Sequence, residues 1–238
     1  MDHQPLDIVI PVHNAPEYLD QCLKTLFLYT PLNLINHIFL VDDDSDTATK
    51  LLLDKYRNNP LFSVMTMPNR SWFTRTANAG LKATSTSKVL LLNSDLEFMK
   101  PEGKSWLEEM LEVMRESDAN LVGSWFWETL GWSDGKTRWV YKEPPEYATG
   151  HCWLLTRRCF ETVGFLDETQ AKNIHFNSDV AYCHALVDSG LKVVVSYLAP
   201  VHHHDHKSLN LEDVELSHRL TFQDLMGDTT PVKIAIDA

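Results

Sequence analysis

Lys88–Glu97 reads KVLLLNSDLE, an unbroken apolar run from Val89 to Leu92 that ends abruptly in Asn93, Ser94 and Asp95. A short run with no polar alternation is the pattern of a strand buried on both faces, as in a sheet covered by helices on each side. Such sheets gather ligands at the carboxyl ends of their strands. The polar break after Leu92 therefore marks a candidate site as well as a strand end.

The segments before it repeat the pattern. Leu6–Val12 (LDIVIPV) is β-rich, and from Pro16 to about Tyr29 the residues Leu19, Leu23, Leu26 and Phe27 share one helical face. Asn14, with Glu17 three residues on, has capping-box spacing. Leu34–Val41 reads as a strand leading into Asp42-Asp43-Asp44-Ser45-Asp46, with a helix to Arg57, opened by Asp46. Phe62–Met67 is strand, Phe73–Thr84 helix, Gly103–Ser117 helix and Asn120–Phe126 strand. Alternation of this kind predicts an α/β fold, with a mostly parallel, doubly wound central sheet flanked by helices.

The second half departs from this rhythm. Trp125, Phe126, Trp127, Trp132 and Trp139 are interleaved with Gly, Ser, Asp and Lys, with Asp134-Gly135 as a turn signal. The stretch reads either as core or as a loop that stacks on a ligand. Strands follow at His151–Thr156 and Lys192–Leu198, with helices near Arg158–Val163 and Asp179–Ser189, the latter closed by Gly190. Ser178 or Asp179 is a candidate N-cap. No repeat and no linker interrupts the chain, so one domain with a mixed sheet is expected.

Composition excludes several classes. Of the 238 residues 44% are hydrophobic and 23% charged, which is globular rather than disordered. Acids outnumber bases 33 to 21, a formal charge of -12, which disfavours phosphate backbones and anionic lipid as partners. No apolar run approaches the roughly 18 residues of a membrane span, and the acidic start does not resemble a signal sequence. Cys22, Cys152, Cys159 and Cys183 form no CxxC pair, which suggests reduced thiols and a cytoplasmic protein.

Two acid clusters after strands would repel each other across a crevice unless a cation lay between them, and hard oxygen donors favour Mg or Mn. His202-His203-His204-Asp205-His206 is the densest metal-capable run. Imidazole shifts the preference toward Mn. Side chains alternate along an extended chain, so one or two of these histidines at most face a single site.

These motifs resemble the family 2 glycosyltransferases of the GT-A fold: PVHN at 11–14, VDDDSD at 41–46, NAGL at 78–81 and LLLNSDLE at 90–97. TGHCWLLTRRCFETVGFLDE at 149–168, SDVAYCHALVDSGLKVV at 178–194 and VHHHDHKS at 201–208 continue the match in order. The resemblance implies an inverting transferase that moves a sugar from a nucleotide-diphospho-sugar, UDP- or dTDP-linked, to a hydroxyl of a glycan or other acceptor. A nucleic-acid acceptor is disfavoured by the acidic charge. It further implies a donor half at about 1–123, an acceptor half at about 124–208 and a C-terminal tail at 209–238. Pro11, His13, Asn14, Asp43, Arg75, Asn78, Gly80, Asn93, Ser94 and Asp95 match the donor-binding positions, with Asp43 on the base. Asp95 matches the metal-binding acid of the DxD motif, and His203, or else His204, the late histidine, with Mn2+ or Mg2+ as cofactor. Asp179 matches the catalytic base. Gly150 and His151 match the strand facing the acceptor, beside Trp125, Trp127 and Trp132. Asn93 stands where the first DxD acid usually is, Ser178 replaces a Glu, and Asp44 replaces a common Gly. Asn93 and Ser178 keep a catalytically impaired sugar-nucleotide-binding module open as an alternative. A nucleotidyltransferase is less favoured, because PVHNAPEYL lacks a glycine-rich phosphate loop.

Overall fold

The structure, a computed structural model, describes residues 4–124, 147–169, 177–199 and 201–204, with the backbone of 139–141. Its elements are β1 (Leu6–Val12), α1 (Pro16–Tyr29), β2 (Ile35–Asp42), α2 (Thr47–Asp54), β3 (Phe62–Thr66), α3 (Trp72–Ala83), β4 (Lys88–Leu92), β5 (Leu96–Phe98), α4 (Trp106–Ser117), β6 (Leu121–Ser124), β7 (Trp139–Tyr141), β8 (Cys152–Thr156), α5 (Arg157–Val163), α6 (Ser178–Asp188), β9 (Val193–Ser196) and β10 (Val201–His203). One sheet runs in the order β3-β2-β1-β4-β8-β6-β9-β7, and β10 pairs with β5 in a small second sheet.

The KVLLL strand lies near the middle of the large sheet, and its side chains divide between two cores. Leu90 and Leu92 join Ile8 and Ile10 against Leu19 and Leu23 of α1 and Trp106 and Met110 of α4. Val89 and Leu91 join Val9 and Val41 against Ala77 and Leu81 of α3, Cys159 of α5 and Leu186 of α6. Strand alternation thus feeds two helical layers, which is why the run has no polar break. α3 lies so close to the sheet that a Cβ on Gly80 would sit 2.4 Å from Val9 Cγ1.

β3, β2, β1 and β4 are parallel. β8 is antiparallel to both β4 and β6, and β9 is parallel to β6. The expected mostly parallel sheet is therefore mixed in its second half. From β1 the chain winds outward to β2 and β3, then returns to place β4 on the other side of β1. That reversal opens a crevice beyond the carboxyl ends of β1 and β4.

Local expectations hold at some helix starts and fail at others. Asp46 caps α2 as expected, accepting from Thr49 N at 2.8 Å, while α4 has a full capping box, Ser105 with Glu108, that was not singled out from the sequence. Asn14 does not cap α1. The N-cap is Ala15, both residues have positive φ, and the Asn14 side chain instead accepts from Asp46 N at 2.8 Å. The N-cap of α6 is Asn177 rather than Ser178 or Asp179. All four cysteines are free and buried. Among the described residues no helix is long and apolar enough to cross a membrane. The Asp134-Gly135 turn, the tail at 209–238, and Trp125, Trp127 and Trp132 lie outside the described residues.

Candidate active site

The ends of β1, β2 and β4, the start of β8 and the end of β10 meet at the carboxyl edge of the large sheet. β1 delivers His13 and Asn14, β2 delivers Asp43, and β4 delivers Asn93 to Asp95. β8 runs the other way, with Cys152 opposite Leu92, so Gly150 and His151 arrive at the same edge just before it begins. β10 pairs antiparallel with β5, setting His203 opposite Leu96 beside Asp95.

At the β2 end Asp43 is buried at 3% exposure. Its carboxylate accepts from the backbone amides of Ser71 and Trp72, the latter at 2.9 Å, and pairs with Arg70 Nε at 3.4 Å. The turn that wraps the carboxylate forces Trp72 to φ 66, a conformation a bulky side chain rarely adopts. The Arg70 guanidinium lies over the Trp72 ring, 4.6 Å from its centroid. His13 Nδ1 is 2.8 Å from the Asp43 carbonyl oxygen, which can only accept, so Nδ1 carries the proton. Nε2 of the same ring then accepts from Asn14 Nδ2 and from Arg70. Asp44, standing where a glycine is common, has φ 54, a region Asp tolerates better than most residues.

At the β4 end Asp95 is 5% exposed. His203 Nε2 lies 3.0 Å from Asp95 Oδ1 and 3.1 Å from Asn93 Nδ2. Asn93 Oδ1 is buried with no hydrogen-bond partner among the described residues. His204 turns elsewhere: its Nε2 is 3.3 Å from Glu97 Oε2 and its ring sits beside Tyr18. His151, 3% exposed, stacks on His203 with ring centroids 5.3 Å apart. Burial, and then the neighbouring His203, pull the His151 imidazole down to a pKa of about 3, so it stays neutral.

Asp179 lies in the first turn of α6. Its carboxylate accepts from Gly150 N at 3.1 Å and from Val180 N at 2.9 Å. Burial raises its pKa above the ordinary Asp value, and the amides offset only part of that. A Cβ on Gly150 would stand 3.1 Å from Asp179 Cβ, so the glycine permits this close approach. The Tyr147 phenol is pushed up by burial and then by the Asp179 charge, which places it in the same corner.

Residues 7–174 match the model of the family described as Glycosyl transferase family 2. The chain belongs to that family. No curated protein matches it. Among solved structures it is similar to GalNAc-T7 with UDP, GalNAc and Mn2+, at TM-score 0.68 and 17% identity over 84% of this chain and 43% of that one. A mannosyltransferase from Pyrobaculum calidifontis in complex with GDP-Man and Mn2+ gives TM-score 0.67 and 12% identity, over 94% and 63% of the two chains. S. aureus TarS 1-349 gives 0.63 and 16%, over 95% and 67%. The chain thus spans 43% and 63% of the first two. At these identities the likeness shows the GT-A fold.

The divalent ion that goes with this glycosyltransferase fold can be tested against the donors present. Among the described residues no group of three or more His, Cys, Asp or Glu could hold a metal. A 3.0 Å separation between Asp95 Oδ1 and His203 Nε2 nevertheless suits neighbouring ligands on an octahedral ion at about 2.1 Å. Ions of this kind commonly take one or two protein carboxylates and complete their shell from substrate phosphates and water. The orphaned Asn93 Oδ1 is a further oxygen beside this pair. One carboxylate and one imidazole therefore fit Mn2+ or Mg2+ shared with a diphosphate.

Other matched residues have placements that sequence spacing does not show. Asn78 is buried as a clamp: its Nδ2 donates to Leu166 O and Glu168 Oε1, and its Oδ1 accepts from Leu166 N. Arg75 is exposed, 4.0 Å from Glu168. Pro11 and Ser94 are buried in the crevice wall. Arg70 and Trp72 escaped the sequence reading. For Arg70 and Trp72 the one available signal was a basic and an aromatic residue just before a helix that starts at a strand end.

Proposed function

We propose that the chain is a metal-dependent inverting glycosyltransferase that moves a sugar from a UDP- or dTDP-sugar to a hydroxyl of a glycan or similar acceptor. The observation that carries this reading is the convergence of Asp95 and His203 in the switch-point crevice, with the half-buried Asp179 at its acceptor side. Residues 1–123 would form the donor half and 124–208 the acceptor half, and the family resemblance assigns Trp125, Trp127, Trp132 and Gly150 to the acceptor. The free, buried cysteines support a cytoplasmic setting.

In this reading Asp43 accepts the imino N–H of the base, while His13, Asn14 and Arg75 line the nucleotide. Asp95 and His203 hold Mn2+, or Mg2+, against the diphosphate; the Mn2+ complexes of two similar structures support the choice. The ion, when bound, supplies positive charge to the leaving diphosphate. Asp179 takes the proton from the acceptor hydroxyl as that oxygen attacks the anomeric carbon from the face opposite the diphosphate. A single displacement of this kind inverts the anomeric centre. Raising the pKa of Asp179 by burial makes it a better base than an exposed Asp.

The test is release of free nucleoside diphosphate from a panel of nucleotide sugars with Mn2+. Metal-dependent release is expected from UDP- or dTDP-sugars. Tight binding with no release, even with acceptor mixtures, would instead identify a sugar-nucleotide-binding module.

Asp43→Ala should weaken UDP binding about ten- to a hundredfold, the value of a charge-assisted hydrogen bond to the base. It should also cost about 1–3 kcal/mol of stability, because the amides of Ser71 and Trp72 lose their acceptor. Calorimetry beside denaturant unfolding separates the two effects. An unchanged dissociation constant would move the base away from Asp43.

A further inference from the structure

We propose that His151 is a positioning residue that fixes the donor-side pair, rather than a contact for the acceptor. The inference rests on the reading of Asp95 and His203 as the residues that hold the metal and diphosphate. At 3% exposure the His151 side chain has no face to offer an acceptor. Both of its ring nitrogens are engaged: Nε2 with Ser124 Oγ at 2.8 Å and Nδ1 with Thr149 Oγ1 at 3.0 Å. Those two hydroxyls come from the end of β6 and from the segment before β8, so the ring plane is set by two separate pieces of chain. That plane lies 14° from the plane of His203, against which it stacks. The same residue also acts through its backbone, since its carbonyl accepts from Asn93 N at 2.8 Å. Asn93 in turn places Nδ2 3.1 Å from His203 Nε2.

One residue therefore backs His203 by its ring and Asn93 by its carbonyl, and these two meet at His203 Nε2, 3.0 Å from Asp95 Oδ1. A core slot that needed only volume would be filled by Phe or Leu without two buried polar atoms to satisfy. The hydroxyl pair is what a ring of fixed orientation requires. Residues behind a metal-ligating imidazole orient it, and their loss commonly weakens metal affinity ten- to a hundredfold.

The experiment titrates Mn2+ into full-length protein saturated with UDP, and UDP into protein with a chelator. His151→Ala should weaken Mn2+ about tenfold, while UDP affinity in chelator stays at the wild-type value because the Asp43 end is untouched. His151→Phe, which keeps a flat ring against His203 but cannot bond either hydroxyl, should recover only part of the Mn2+ affinity. Where His151→Ala does not fold, Ser124→Ala removes only one hydroxyl and should weaken Mn2+ several-fold. Wild-type Mn2+ affinity in the folded variants would overturn the positioning role, as would equal losses of UDP affinity with and without metal. A wild-type protein that binds UDP with no response to Mn2+ would overturn the metal reading itself, and the positioning role with it.

Discussion

Asp179→Asn should reduce transfer to the acceptor by at least about a hundredfold, the low end of what loss of a general base costs. The substitution keeps the shape of the side chain, but Asn offers one acceptor oxygen to two amides, Gly150 N and Val180 N, that now share a carboxylate. Against that loss stands a gain. Burial raises the Asp179 pKa, so between its unfolded and folded values the native state binds more protons than the unfolded chain. Stability from this group is therefore greatest below the unfolded pKa and falls as pH rises through the folded one. A neutral Asn removes that cost at neutral pH. The two effects oppose each other, and a lost amide bond is worth about 1 kcal/mol, so the melting temperature should move by no more than about 2–4 °C. Donor affinity should hold. In the wild type, transfer should rise with pH through an acidic limb set by Asp179, above the ordinary Asp range, and the variant should lose that limb. Near-normal turnover by Asp179→Asn would remove it as the base and direct attention to Asp167 or Glu168.

Asp95→Ala should have a larger effect still. The carboxylate lies 3.0 Å from His203 Nε2, and its loss takes the negatively charged member of that pair away from the diphosphate. Leaving-group stabilisation worth about 4 kcal/mol corresponds to about a thousandfold in rate. Both donor hydrolysis and transfer should fall by that factor, and excess Mn2+ should restore little. The fold should survive, because the Asp95 side chain belongs to neither core and its backbone bond from His204 N is kept. Turnover within tenfold of wild type would show that the diphosphate charge is met elsewhere.

The parts of the fold carried by local pattern were legible. The run from Val89 to Leu92 signalled burial on two faces, and the structure splits it between two helical layers. Asp46 caps α2 as expected, because capping needs only residues within one turn. Asn14 has the same local signature yet does not cap. Its side chain is drawn to Asp46 N, 32 residues away, across the gap between the β1 and β2 ends. Proximity of this kind is set by sheet order, which no local spacing records.

The site divides the same way. Asp95 announced itself as a polar break at a strand end. Which of His203 and His204 lies beside Asp95 depended on the register of β10 against β5, which sets His203 opposite Leu96 and sends His204 toward Glu97 and Tyr18. Arg70 and Trp72 were invisible because their role lies in a turn folded around Asp43, nearly thirty residues earlier in the chain. Asn78 reads as one residue of a donor segment, yet its bonds go to Leu166 and Glu168, about ninety residues later in the chain.

The most direct measurement of the central claim is calorimetric titration of UDP into the wild-type protein with Mn2+ and again with a chelator. Asp95 and His203 holding a divalent ion against the diphosphate predict binding at least about tenfold tighter with Mn2+, a gain of about 1.4 kcal/mol or more, and the same gain absent in Asp95→Ala. Equal affinity in the two titrations would contradict it.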